Sequence, residues 1–169
     1  MALLVLTTFA IGLLSLSNTP NNDGKLIPLG VHMALGIAIL LLVIARFMLR
    51  LLVFKPSLRP ANVKKQIFLD QVTPYVHILL YLGTALMALL GLAIAIPANL
   101  FPIIWGGSGA ALPVNFYIYP ARALHGTLSL LLMLLIAQHV LVAVFHQFIK
   151  GENYLGRMWF NKSKTSSTD

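Results

Sequence analysis

The chain has no cysteine. That excludes covalent haem attachment through Cys-x-x-Cys-His, cysteine-ligated iron–sulfur clusters and disulfides. Negative charge is almost as scarce, with 4 Asp and Glu in 169 residues against 12 Lys and Arg. The four acids are Asp23, Asp70, Glu152 and Asp169, and all fall outside the long apolar runs. Proton pumps and many cation-coupled transporters need Asp or Glu inside the membrane, so this pattern counts against that class. There is no P-loop, no Gly-rich dinucleotide turn and no nucleophile–base pairing. No internal repeat appears beyond the similar look of the apolar runs. No basic face is interleaved with aromatics, so the net charge of +8 is not a nucleic-acid footprint.

What the chain has is apolar length. Hydrophobic residues make up 59% and charged residues 9%, whereas soluble domains carry about 25% charge. Four apolar runs stand out, at about 1–17, 29–54, 74–96 and 121–149. A bilayer span takes about 20 residues. The expected fold is therefore all-α, an integral membrane four-helix bundle of up-down topology. It is expected to occupy 1–154 as one domain, followed by a polar tail at 155–169. The first run begins without the basic segment of a signal peptide, so it is read as a spanning helix lacking its first turn or two.

Orientation follows from the cations. Arg46, Arg50, Lys55, Arg59, Lys64 and Lys65 gather at the second connection, and Lys150, Arg157, Lys162 and Lys164 in the tail. The other two connections hold only Lys25 and Arg122. The positive-inside rule then places both termini in the cytoplasm. The excess charge is read as topology plus attraction to anionic membrane lipid. The longest connection, at 97–120, carries Trp105, Phe116, Tyr117 and Tyr119, aromatics that suit the membrane–water boundary. It is expected to lie over the outer end of the bundle, and a connection of this length is often functional.

The chemistry lies in five histidines, His32, His77, His125, His139 and His146. A histidine inside a span is costly unless ligated or paired, so each is a candidate site residue. His125 and His139 are fourteen residues apart on one run. On a helix that is about 1400°, roughly 40° short of four turns, with a rise of about 21 Å. Two stacked haems in a helix bundle need ligands on one face at two depths in this way. His32 and His125 each lie about one turn from an outer helix end, and so at one level. They are the candidate axial pair of a haem; the alternative is two interfacial histidines in water. Gly36 and Gly126 remove side-chain bulk where a porphyrin would lie.

At the inner level His139 is the natural ligand, but Arg46 stands fourteen residues after His32, where a second histidine would be needed. Arg46 is read either as a haem-propionate partner or as snorkelling to the interface, and Arg50 as snorkelling. Arg122 is a propionate partner on the outer side or a helix-end anchor. His77 and His146 lie nearer the inner interface. Each is a candidate ligand, a donor to a propionate or quinone carbonyl, or an interfacial histidine without a role.

Taken together, these residues resemble the bacterial cytochrome b561 family, which groups with cytochrome b subunits of nickel hydrogenases. The resemblance rests on His32 with Gly36, Arg46-x-x-x-Arg50 and His77-Ile-Leu-Leu-Tyr81. Its strongest part is His125-x13-His139-x6-His146, followed by Gly151–Met158. It implies a four-helix bundle with two b-type haems in the bacterial inner membrane. It also implies electron transfer between the quinone pool and an extracytoplasmic redox partner. Some members are similar to a superoxide oxidase, passing electrons from superoxide to ubiquinone. By resemblance, His32 and His125 match the outer-haem ligands and His139 an inner-haem ligand. The family's first helix carries a ligand histidine, usually followed by Trp, near its cytoplasmic end. Met1-Ala2-Leu3-Leu4 looks like the continuation just after that pair. Either the true start lies upstream, which is the favoured expectation, or the inner haem is lost or ligated by His77.

A bis-histidine iron has both axial positions filled, so electron exchange rather than oxygen binding is the expected chemistry. Two other classes stand beside this one. One is a cytochrome b anchor subunit of a hydrogenase or dehydrogenase. The other is a non-haem membrane protein such as a small carrier or assembly factor, which the histidine spacing and the missing carboxylates argue against.

Overall fold

The computed structural model describes residues 1–53 and 69–149. The tail expected at 155–169, and all but the last three residues of the basic connection at 55–71, lie outside the described residues. Every regular element among the described residues is helical. Helix α1 spans Ala2–Ala10 and runs directly into a π-helical turn, Ile11–Leu16. Helix α2 spans Leu26–Val53, α3 Leu69–Ala95, α4 Leu100–Ile104 and α5 Pro120–Phe148.

Three stretches are long and apolar enough to cross a membrane, Asp23–Leu49, Tyr75–Ala95 and Pro120–Phe145. Ala2–Leu16 is apolar but shorter. Large apolar side chains stand exposed along all of them, among them Leu41, Phe47, Leu82, Leu89, Leu130 and Leu134. In water such exposure would be unfavourable; in hydrocarbon it is the expected outer surface of helices whose backbone groups are satisfied internally.

Two helices start earlier than the sequence pattern suggests. Helix α2 begins at Leu26 because the preceding turn, Asp23–Lys25, is already helical and is capped by Asn22 Oδ1 accepting from the Gly24 N–H at 3.1 Å. Pro28 then falls in the first turn, where its missing N–H costs nothing. Helix α3 is already formed at Leu69, where the described residues resume, and Pro74 within it forfeits one backbone bond without breaking it.

The chain divides into two compact units, Met1–Leu132 and Met133–Asp169, with the boundary inside α5. In the second unit the described residues are the end of α5 with His139 and His146, closed by the Ile149 N–H donating to the Phe145 carbonyl. In the first unit, α2 packs against α1, the π turn, α3 and α4.

The inward faces of the first unit can be read from the burial. On α2, His32, Gly36, Ile39 and Val43 recur at helical spacing, and Ile39 and Val43 are buried. On α3 the matching row is Gly83, Met87, Gly91 and Ile94, with Ile94 buried. On α5 it is His125 and Leu132, with Leu132 buried and its Cδ1 3.2 Å from where a Cβ on Gly83 would stand.

The 97–120 connection is folded, not irregular as its composition suggests. It contains α4 and a 3-10 turn, Phe116–Ile118. Ala98, Leu100 and Leu112 are buried with Ala95 in a cluster that also takes in Leu26, Leu29 and Met33 of α2. The connection therefore caps the end of α2 that carries His32. It turns after α4 at Gly106, whose N–H donates to the Pro102 carbonyl; a Cβ there would meet Pro102 Cα at 2.7 Å. Asn21 clamps the first connection to this cap, its Nδ2 donating to the carbonyls of Pro113 (3.0 Å) and Val114 (2.9 Å). Lys25 is buried beneath it, its Nζ donating to Asn21 Oδ1 (2.8 Å) and the Thr19 carbonyl (2.7 Å).

Asn21→Ala removes both links and leaves Lys25 one acceptor short. It is expected to destabilise the protein by about 1–3 kcal/mol. Thermal unfolding in detergent checks this, and an unchanged midpoint would mean that the clamp carries no stability.

A paired-histidine site on helices 2 and 5

His32 lies near the start of α2 and His125 near the start of α5. The structure brings the two rings together, with centroids 6.3 Å apart and planes inclined at 67°. A ring nitrogen lies about 1.1 Å from an imidazole centre and a metal–nitrogen bond measures about 2.0–2.1 Å. Two imidazoles on opposite sides of one ion therefore have centres about 6.3 Å apart. The observed separation equals that distance. It is also longer than a direct hydrogen bond between ring nitrogens would hold.

The His32 ring is oriented from α1. Its Nδ1 lies 3.0 Å from the Thr8 carbonyl oxygen. A carbonyl only accepts, so Nδ1 carries the proton and Nε2 keeps its lone pair for a ligand bond. His125 differs. Its Nδ1 is buried without a hydrogen bond of normal geometry, although the Met87 carbonyl on α3 acts on the same ring. A buried ring nitrogen with no firm partner is costly and asks for an explanation in chemistry.

Arg122 lies one turn before Gly126 on α5 and folds back along it, its Nη1 3.1 Å from the position of a Gly126 Cβ. Its guanidinium also sits over the Tyr117 ring at 5.1 Å. Space at Gly126 is thus taken by Arg122, rather than standing open for a flat ligand as the sequence suggests. Gly36 is different, because nothing lies within 4 Å of where its Cβ would be. Open space therefore adjoins the inward face one turn below His32.

The remaining candidates lie elsewhere. Arg46 is exposed toward the other end of α2, its guanidinium 5.9 Å from the centre of the Tyr81 ring on α3. His77 is half-buried on α3 in the first unit, and His139 is half-buried in the second; both make interactions. His146 lies on α5, also in the second unit.

Among the described residues no three or more His, Asp or Glu gather into a metal-binding group. The site is a pair. Two imidazoles cannot complete the four-ligand shell of a structural zinc. They do suit a metal whose other four ligands come from a macrocycle and which needs only two axial nitrogens.

The chain matches the model of the prokaryotic cytochrome b561 family over residues 1–161, and it belongs to that family. It is therefore a bacterial membrane b-type cytochrome of electron transfer, and the family implies binding of b-type haem. Neither curated proteins nor solved structures give a match. The site fits the implied group on two observations: the ring separation and the open space at Gly36.

Sequence reasoning missed Thr8 and Met87, whose contributions are backbone carbonyls and so leave no mark in residue type. It also missed Gly12 and Gly91, which lie four residues after them.

Filling the space at Gly36 is a direct test of the fit. Gly36→Leu is expected to lose most of the haem at the His32 level while keeping its helical circular dichroism. Normal haem content in that variant would remove Gly36 from the site.

Proposed function

We propose that the chain is a four-span inner-membrane cytochrome that moves electrons between the quinone pool and an extracytoplasmic redox partner. His32 and His125 are the residues that would hold its outer haem. The observation that carries this reading is the pair of imidazoles from two helices at 6.3 Å. Both termini lie in the cytoplasm, on the strength of the cations at the second connection and in the tail. The bundle occupies 1–154 and the polar tail 155–169.

Haem b, when bound, supplies reversible one-electron transfer. The protein's residues do the rest. His32 and His125 would hold the haem iron through their imidazoles, and Thr8 fixes the His32 tautomer. The cap over α2 keeps bulk water from the ring level. Arg122, within electrostatic reach of both imidazoles, is the cationic partner for a propionate at this end. Arg46 is the equivalent candidate toward the other end.

A second, inner haem is assigned to His139 on its sequence spacing from His125, with His77 and His146 as candidates to assist as ligand or as donor to a quinone oxygen. Ubiquinone is the proposed quinone. Oxidation of superoxide with reduction of ubiquinone is the proposed enzymatic activity. The second reading is a cytochrome b anchor subunit of a hydrogenase or dehydrogenase, and co-purification of such a partner would favour it.

His125→Ala is expected to abolish the outer haem and to spare any inner one. Pyridine haemochrome quantitation with a reduced-minus-oxidised spectrum reads this directly. Unchanged haem content would sink the ligand assignment. For the activity, stopped-flow mixing of purified protein with superoxide and a ubiquinone analogue should show reduction of the haem at its α band. A haem that stays oxidised would leave the anchor role as the better account.

A further inference from the structure

The two imidazoles are approached by similar backbone features of two different helices, with a hydrogen bond formed at His32 and none of normal geometry at His125. On α1 and its π turn, the Thr8 carbonyl accepts from His32 Nδ1, and four residues later stands Gly12. A Cβ on Gly12 would lie 3.3 Å from His32 Cε1 and 3.7 Å from Nδ1. On α3, the Met87 carbonyl acts on the His125 ring, and four residues later stands Gly91. A Cβ on Gly91 would lie 3.5 Å from His125 Cε1 and 3.9 Å from Nδ1. The same two ring atoms face the same backbone feature, at nearly the same distances. Carbonyls in a helix point toward its C-terminus, so the residue four places on covers the acceptor. Only a residue with no side chain there lets a ring edge come in flat against the helix.

We infer that Gly12 and Gly91 are positioning residues, each of which admits an imidazole edge flat against a neighbouring helix, so that both histidines can offer Nε2 to a shared iron. The inference deepens the haem reading and rests on it. The carbonyl holds the proton on Nδ1 and makes Nε2 a stronger donor. The π turn at Ile11–Leu16 belongs to the device, since it inserts a residue and widens the helix where Gly12 meets the ring.

The distances make the two glycines unequal. An alanine at position 12 is closer to the ring than ordinary contact, so His32 must shift by a few tenths of an ångström and its bond to Thr8 lengthens. An alanine at position 91 is at ordinary contact, whereas a valine adds two methyls beyond the Cβ that is already at contact with the ring. Gly83 supplies the control. Its Cβ would stand 3.2 Å from Leu132 Cδ1, equally crowded but against leucine.

The experiment uses purified holoprotein, with haem content, electron paramagnetic resonance and redox titration as readouts. Gly12→Ala is expected to raise the midpoint potential of the outer haem and shift its low-spin g values, because a weaker Nδ1–H bond makes a less basic ligand. Gly91→Val is expected to do the same, or to lose the outer haem. Gly83→Ala should match the parent. Parent-like potential and g values in Gly12→Ala overturn the inference, and so does an equal shift in Gly83→Ala. Should the Gly12 or Gly91 variants fail to accumulate, the parent protein decides. Proton NMR with 15N-histidine should show two slowly exchanging Nδ1–H signals at the outer haem, and rapid exchange or a missing proton overturns it. If His125→Ala keeps its haem, the haem reading falls. If it loses haem while Gly12→Ala stays parent-like, only the present inference falls.

Discussion

An imidazole in an apolar bundle must use both of its nitrogens, and that requirement organises the first unit. Each ring has two polar atoms on opposite edges, and water is not on hand to satisfy them. His32 gives one edge to the Thr8 carbonyl. His125 stands with its ring centre 6.3 Å from that of His32. Neither ring can rest on its own helix, because helical carbonyls there are already spent on the backbone ladder. The acceptors must come from neighbouring helices. α1 and α3 therefore have to approach the ring edges closely, and small residues have to stand at the points of approach.

Packing in the rest of the unit follows a different logic on its two sides. Along the lipid-facing surfaces, apolar side chains such as Leu41, Leu82 and Leu130 lie exposed and contribute nothing to holding helix against helix. Lipid tails are as apolar as leucine, so association there rests on close fit and polar contacts. At the capped end the ordinary hydrophobic effect returns. Leu100 and Leu112 leave water when the 97–120 connection folds onto Leu26, Leu29 and Met33. Burying an aliphatic side chain of this size contributes about 1.5–3 kcal/mol. The Asn21 clamp then ties the first connection to the same cap. The end of the bundle nearest the histidine pair is thus stabilised by the solvent outside it as well as by packing within.

Some of this was legible in the chain. Long apolar runs announce helices, because no other regular structure fits so many apolar residues without polar alternation. His32 and His125 fall at one depth by counting residues from helix ends, and depth is what residue number measures. Rotation about the helix axis is harder. Gly126 looked open from its place beside His125, yet the Arg122 side chain runs back over it. Gly12 and Gly91 looked like ordinary small residues, because nothing in their own run says which neighbour they face. The π turn has no residue signature in Ile11–Leu16. The short helix Leu100–Ile104 hid between Pro97 and Gly106, where composition reads as irregular. Asn99, in the left-handed region with φ 54°, starts it without a side-chain cap, so the usual start signal is missing.

The bracing of the histidines bears on rate as well as on binding. One-electron transfer is fast when the donor's surroundings need not rearrange between oxidation states. A ligand held only by its own side-chain torsions swings as the metal charge changes. His32 is held by a hydrogen bond to α1 as well as by its place on α2, so two backbone elements must move before the ring does. His125 is hemmed by Gly91 and by the Met87 carbonyl on α3 while it rides on α5. Four helical segments thus surround two rings; His32 is fixed by a bond from α1, and His125 is flanked closely by α3. A pair held this way gives up adaptability, which a site that binds and releases oxygen would need, in return for a constant geometry. That exchange suits a site whose only task is to pass an electron.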